Sequence, residues 1–139
     1  MTPAGYSGTP LPKKLGIKPG SVVALHGAPK DVAKTLGPLP EGVVLRTSSR
    51  GQRDLTLWFV SSRSGLERNL AVMAKWGANS GLWILWPKKA AGSGSDLNET
   101  IVREAALAAG LVDFKVCAFD AFWSGLRFNA RRARVSSES

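Results

Sequence analysis

The residues from Asp54 to Trp86, DLTLWFVSSRSGLERNLAVMAKWGANSGLWILW, carry the strongest structural signal in the chain. Their two ends, 54–60 and 82–86, are nearly continuous runs of large apolar residues, which is typical of strands buried on both faces of a parallel sheet. Between these runs, apolar residues recur at helical spacing from Leu66 to Met73. A strand, a helix and a second parallel strand form a right-handed crossover, so this stretch predicts an α/β domain.

The same alternation continues on both sides of this stretch. The predicted strands outside it are 21–26, 43–47, 113–119 and 123–130, and the predicted helices are 29–36 and a segment that ends at Gly110. A tight link joins the last two strands, which therefore form an antiparallel hairpin. The pattern predicts one three-layer, Rossmann-like α/β domain with a mostly parallel sheet of about six strands.

Two capping boxes predict where the longer helices begin. Ser64-x-x-Glu67 opens the helix predicted at 64–78, and Asp96-x-x-Glu99 opens the helix that follows the fourth strand. In such a box the first side chain and the acidic one satisfy the free amides of the first helical turn.

Length and composition favour a single soluble domain. The chain has 139 residues, 44% hydrophobic and 21% charged, as in an ordinary globular protein. We expect an irregular N-terminal arm over 1–20, a folded domain over 21–134 and a frayed tail over 135–139. Neither a secretory signal nor an apolar run of about 18 residues is found, so a cytoplasmic location is expected. One cysteine and one histidine cannot form an internal disulfide or a Cys/His metal cluster.

The positive charge lies in the first two thirds of the chain. Residues 1–90 contain 13 Lys or Arg and 4 Asp or Glu, whereas residues 91–139 contain six of each, and the net charge is +9. This asymmetry favours an anionic partner such as nucleic acid, nucleotide phosphates or an acidic protein. A solvated basic surface with no partner is the alternative.

The segment Leu15-Gly16-Ile17-Lys18-Pro19-Gly20, followed by a strand and Gly27, is similar to the lead-in of one known fold. The strands 54–60 and 81–86, the helix between them and the closing hairpin are similar to its later half. Together they resemble class I S-adenosylmethionine-dependent methyltransferases in a shortened form, over residues 15–130. This resemblance implies the strand order 43–47, 21–26, 54–60, 82–86, 123–130, 113–119.

Longer segments along the chain carry a second resemblance. They are Ala4-Gly5-Tyr6-Ser7-Gly8-Thr9-Pro10-Leu11, Lys14 to Gly20, Leu36-Gly37-Pro38-Leu39-Pro40, Trp86-Pro87-Lys88-Lys89, Lys115-Val116-Cys117-Ala118 and Trp123-Ser124-Gly125-Leu126-Arg127-Phe128. These segments resemble an uncharacterised family of small bacterial proteins. That family implies no active site, because its function is unknown.

The methyltransferase resemblance also implies a place for the cofactor, and the sequence departs from the pattern there. The turn after the first strand, His26-Gly27-Ala28-Pro29, has one glycine of the usual set. The second strand ends in Arg46-Thr47-Ser48-Ser49-Arg50, without the acidic residue that binds the ribose hydroxyls, and a helix, strand and helix beside the adenine are missing. We therefore expect no cofactor, with S-adenosylmethionine held through residues 26–28 as the alternative.

The candidate site lies at the carboxyl ends of the parallel strands, where open α/β sheets bind ligands. Its residues are mostly hydroxyls and cations: His26, Gly27, Ser48, Ser49, Arg50, Ser61, Ser62, Arg63, Lys88 and Lys89. Such a set, beside two helix N-termini, predicts an anion site in which Arg50, Arg63 and Lys88 converge. In the alternative interpretation the serines cap helices and the cations are ordinary surface residues.

Three functions follow from these observations. The first is a cofactor-less binding module of methyltransferase-like fold, which takes an anionic small molecule or a protein partner. The second is a minimal S-adenosylmethionine-dependent methyltransferase, and the third is nonspecific binding of nucleic acid, which no recognisable motif supports. None of the three involves a membrane.

Single residues of reactive type favour structural roles. His26 is expected to bond to backbone at a strand end rather than act as a general base. Cys117 is expected to be a buried thiol, and Asp120 to form an Asx turn in the hairpin link. Trp86 and Trp123 flank loops and are candidates for stacking on a base or ring.

Overall fold

A mixed sheet of six strands forms the centre of the protein. The computed structural model describes residues 10–47, 53–77, 81–88, 94–120 and 122–130. In chain order the elements are α1 (Leu11–Leu15), β1 (Val22–His26), α2 (Val32–Leu36), β2 (Val44–Arg46), β3 (Leu55–Phe59), α3 (Arg63–Gly77), β4 (Gly81–Pro87), α4 (Glu99–Ala108), β5 (Leu111–Ala118) and β6 (Trp123–Ala130). The strand order is β2-β1-β3-β4-β6-β5. The first four strands pair in parallel and β6 pairs antiparallel with both β4 and β5, which confirms the predicted fold class and strand order.

Two apolar cores lie on opposite faces of the sheet. Because successive side chains of a strand point to opposite faces, strands that are apolar throughout supply both cores. β3 and β4 are buried at every position. Trp58 and Ile84 pack on one face with α3 and α4, while Leu57 and Trp83 pack on the other with α1 and α2. The domain therefore has three layers, as predicted.

Part of the segment predicted as an irregular arm belongs to the domain. Residues 11–15 form a helix, and Leu15 and Ile17 are almost completely buried. The indole Nε1 of Trp83, on β4, donates a hydrogen bond of 2.8 Å to the carbonyl of Leu15. A five-residue segment that contains a proline is too short to be a stable helix alone, so this burial against the sheet holds it.

The other elements differ from the prediction mainly in their ends. α2 begins at Val32 rather than at residue 29, because residues 29–32 form a turn in which the amide of Val32 donates to the carbonyl of Pro29. β5 begins at Leu111, since its pairing with β6 continues across an irregularity between Asp113 and Lys115. In the described part of the chain, no helix has the length and apolarity needed to span a membrane.

Candidate functional site

The carboxyl ends of the four parallel strands meet at one edge of the sheet. β1 ends at His26, and the turn that follows contains Gly27 with φ +67°. A Cβ atom on Gly27 would lie 2.6 Å from the carbonyl oxygen of Phe59, the last residue of β3. Glycine is therefore required where the backbone after β1 packs against the end of β3. Four of the predicted site residues lie outside the described residues: Ser48, Ser49, Arg50 and Lys89.

The start of α3 is already capped by groups of the protein itself. Ser62 Oγ accepts a hydrogen bond of 3.1 Å from the amide of Gly65, and Asp96 Oδ1 accepts one of 2.8 Å from the amide of Arg63. Ser95 Oγ donates to the carbonyl of Ser61 at 2.8 Å. An internal carboxylate thus lies where a bound anion would benefit from the free amides and the helix dipole.

Both predicted capping boxes are wrong in their details. α3 begins at residue 63, so its cap is Ser62, and Ser64 lies within the first turn. The cap of α4 is Asn98, whose Oδ1 accepts from the amide of Ile101 at 2.8 Å. Asp96 is free to cap α3 instead, because the chain before α4 passes the start of that helix.

Replacement of Asp96 by alanine tests this cap between two helices. We expect the free energy of unfolding to fall by about 1 kcal/mol, the usual cost of losing a helix cap. Asp31→Ala is the matched control, because Asp31 stands at the cap position of α2 and makes no side-chain capping bond; its effect should stay within about 0.5 kcal/mol. Urea unfolding followed by circular dichroism measures both, and equal effects would contradict the assignment.

The Arg63 side chain lies between α3 and α4. Its Nε is 3.1 Å from Glu67 Oε2, with both side chains more than half exposed. It lines a groove of about 290 Å³ together with Glu104 and apolar residues of α4. Lys88 follows β4, where its amide donates to the carbonyl of Phe122 at 2.7 Å. The structure thus gives Arg63 an acidic neighbour on its own helix and places Lys88 beside the hairpin link.

A different group of basic side chains lies on the sheet face over β1 and β2. The parallel register aligns Ala24 with Arg46 on one side and with Thr56 on the other. Residues in register on neighbouring strands share a face, and His26, two positions after Ala24, shares it too. Arg53, which precedes β3, extends to Thr56, where its Nη1 lies 3.5 Å from Oγ1. We call His26, Arg46 and Arg53 the basic cluster.

The pKa shifts of His26 and Arg53 have causes that agree with this placement. Burial and the charge of Arg53 lower the pKa of His26 from its ordinary value of 6.5, and burial and the charge of Arg46 lower the pKa of Arg53. Arg53 is only 9% exposed. His26 is therefore neutral at pH 7. Its Nε2 is buried and makes no hydrogen bond within the described residues.

The basic cluster lies outside the apolar core on its face of the sheet. Among the described residues, that core joins α3 and α4 to β3, β4, β5 and β6 and takes no residue from β1 or β2. Sequence reasoning included His26 and noted Arg46 but missed Arg53. Arg53 stands at the amino end of β3, and only its long side chain reaches the cluster.

The remaining reactive residues have structural roles for the most part. Trp86 is 4% exposed and packs in the core, so the prediction that it stacks on a ligand is wrong. Trp123 packs edge-to-face with Phe59 and Phe122, with centroid distances of 5.1 and 5.2 Å. Asp120 Oδ1 accepts from the amides of residues 122 and 123, which confirms the predicted turn. Cys117 is partly buried, and burial raises its pKa.

The described residues keep one of the two features that the resemblance implies for binding S-adenosylmethionine. The glycine turn after β1 is present, although the space beside Gly27 is filled by the end of β3. At the end of β2 stand Arg46 and Thr47, both exposed, and neither can accept hydrogen bonds as a carboxylate does. S-adenosylmethionine carries a positive sulfonium, which the basic cluster would repel.

Comparison with known proteins identifies the fold. No protein-family profile matches the chain, and no curated protein matches it significantly, so neither supports the resemblance to a small bacterial family. A candidate type 11 methyltransferase from Sulfolobus solfataricus is similar, with a TM-score of 0.60, 13% identity and coverage of 91% of this chain and 93% of the other. The magnesium protoporphyrin IX methyltransferase of Synechocystis, with bound S-adenosylmethionine, is similar with a TM-score of 0.51 and 11% identity, over 81% of this chain and 71% of the other. A candidate tRNA methyltransferase from Streptococcus pneumoniae, in complex with S-adenosylmethionine, is similar with a TM-score of 0.50 and 14% identity, over 91% of this chain and 74% of the other. The predicted methyltransferase-like fold is confirmed.

Proposed function

We propose that this methyltransferase-like domain binds a small anionic ligand, such as a phosphate ester, at the basic cluster. The observation that carries the proposal is the position of Arg53, a residue that is 9% exposed and extends to Thr56 on the sheet face that Arg46 and His26 share. The charges of Arg46 and Arg53 repel each other, and an anion between them would be attracted to both. This proposal moves the anion site from the cations after β3 and β4 to those around β1.

The chemistry of the cluster suits a phosphate group. A guanidinium offers several N–H donors in a planar fork that matches two oxygens of a phosphate. Neutral His26 can donate or accept one further hydrogen bond through its buried Nε2. The low dielectric around buried Arg53 and the buried Nε2 of His26 strengthens the contacts that these two groups make.

The single histidine of the chain gives a direct test. Its ring protons, followed by NMR as the pH is varied, report the pKa of His26 without interference from other histidines. We expect that saturating sulfate raises this pKa, because a neighbouring anion stabilises the imidazolium. Arg53→Met should weaken sulfate binding about tenfold or more, since a charge-assisted hydrogen bond contributes about 1.5–3 kcal/mol.

Arg63→Met is the control for loss of one arginine. Arg63 is exposed and paired with Glu67 outside the cluster, so this variant should bind sulfate with nearly the affinity of the unaltered protein. Equal weakening by the two variants would overturn the proposal. Saturable sulfate binding that leaves the pKa of His26 unchanged would also overturn it, because the anion would then lie elsewhere.

Binding of S-adenosylmethionine is the second candidate function. The glycine turn after β1 and the likeness to structures that hold S-adenosylmethionine favour it. Calorimetric titration separates the candidates: saturable binding of S-adenosylmethionine, with no sulfate shift at His26, would replace the first proposal with the second. Nonspecific binding of nucleic acid would instead show an affinity that falls steeply as salt increases.

A further inference from the structure

A groove lined by prolines lies between α1 and the segment that connects α2 to β2. Its volume is about 510 Å³, within the range of ligand and peptide pockets. Five prolines and one leucine form most of its wall: Pro10, Pro12, Pro19, Pro38, Pro40 and Leu39. We refer to it as the proline groove. It is separate from the basic cluster, with which it shares no residue.

The walls of the proline groove are apolar and poor in hydrogen-bonding groups. Proline has no backbone N–H, so these residues cannot donate to the backbone of a bound segment. The carbonyls of Pro10, Pro12 and Pro40 already accept hydrogen bonds from the amides of Lys14, Ile17 and Val43. A large apolar side chain is therefore the group that this groove accommodates best.

The groove is also rigid. Each proline ring restricts the backbone to one narrow range of φ, so little conformational entropy is lost when a partner is bound. Ile17, which also lines the groove, is 3% exposed and belongs to the core with Leu15 and Leu36.

The charged side chains that line the groove are lysines. Lys13 and Lys18 line it, both are exposed, and none of the described residues in its lining is acidic. Lys18 also lines an adjoining polar cleft with Arg127 and Asp54. The Asp54 carboxylate accepts a hydrogen bond of 2.7 Å from the amide of Val22, so part of its capacity is used within the protein. An anionic group beside the apolar one would thus meet lysines.

From these observations we infer that the proline groove docks a segment of a partner protein in which a large apolar side chain stands between acidic residues. The apolar side chain enters the groove, and the carboxylates lie against Lys13 and Lys18. Charge complementarity selects this partner, because a basic segment would be repelled and a neutral one would gain nothing from the lysines.

The probe is a fluorescently labelled, capped peptide in which a central phenylalanine stands between two aspartate–glutamate pairs. Fluorescence anisotropy with the full chain should show saturable binding. The double variant Lys13→Glu, Lys18→Glu should weaken it about tenfold or more, since two attractive contacts become repulsive. The control is Lys30→Glu with Lys34→Glu, which changes the net charge equally at two exposed lysines outside the groove and should weaken binding less than about threefold.

A second peptide tests the apolar contact. Serine in place of the phenylalanine should weaken binding about tenfold or more, because the burial of an aromatic side chain is lost. Melting curves of all variants verify that they fold.

The inference is overturned if both lysine pairs weaken binding equally, if the serine peptide binds as tightly as the phenylalanine peptide, or if the full chain does not bind. Binding that requires removal of residues 1–9 would assign the groove to the N-terminal segment of the chain and would also overturn it. The rise of the His26 pKa on addition of sulfate should be the same in every lysine variant. Failure of this inference can therefore be distinguished from failure of the proposed function.

Discussion

Replacement of Trp83 by alanine is expected to lower the free energy of unfolding by about 3–5 kcal/mol, the largest effect that we expect of any single change. Trp83 is completely buried at the centre of β4, where it packs with α1 and α2. Its Nε1 donates the 2.8 Å hydrogen bond that ties the carbonyl of Leu15 to the sheet. The alanine variant therefore leaves a cavity and releases α1. Urea unfolding followed by circular dichroism measures the loss.

Trp83→Phe separates the two contributions. Phenylalanine keeps much of the buried apolar volume but cannot donate the hydrogen bond. Leu15 still accepts a hydrogen bond of 3.2 Å from Nη1 of Arg127, so its carbonyl is not left without a donor. We expect a loss of about 1–2 kcal/mol for this variant. If alanine costs no more than phenylalanine, the cavity explanation is wrong.

Gly27→Ala should lower the free energy of unfolding by about 3 kcal/mol. The residue has φ +67°, a conformation that costs an alanine about 1 kcal/mol or more. The added Cβ would also lie 2.6 Å from the carbonyl oxygen of Phe59, and backbone at the end of a central strand cannot easily move away. The same unfolding measurement applies, and His26, the preceding residue, gives an NMR signal that reports distortion of the site.

Gly110→Ala is the matched control for the backbone contribution. Gly110 follows α4 with φ +90°, and a Cβ there would meet no atom within 4 Å. The free energy of unfolding should therefore fall only by the conformational strain of the alanine, about 1 kcal/mol. If the two alanine variants are equally unstable, the close approach at Phe59 contributes nothing.

Local signals in the sequence were enough for several features. The apolar runs at 54–60 and 82–86 predict buried parallel strands because burial on both faces requires apolar residues at every position. The Asp120 turn is predicted correctly because its hydrogen bonds join residues two and three positions apart. The strand order, implied by the methyltransferase resemblance, also agrees with the structure.

The sites depend on contacts that no local pattern contains. Asp96 caps α3 across 33 residues, although its spacing to Glu99 suggested a cap for its own helix. Arg53 reaches the ends of β1 and β2 only because the sheet places β3 beside β1 and the side chain is long enough to cross that distance.

By itself, then, the sequence determined the class of fold, the strands and the helices that follow β1, together with His26 and Gly27 at the end of β1. Only the tertiary structure decided that Arg53 joins His26 and Arg46, and that five prolines from two distant segments form one groove. The physical reason is the separation along the chain over which each kind of interaction acts. Periodicity and capping act between residues a few positions apart, whereas a binding site is a set of side chains that strand register and packing bring together from distant parts of the chain.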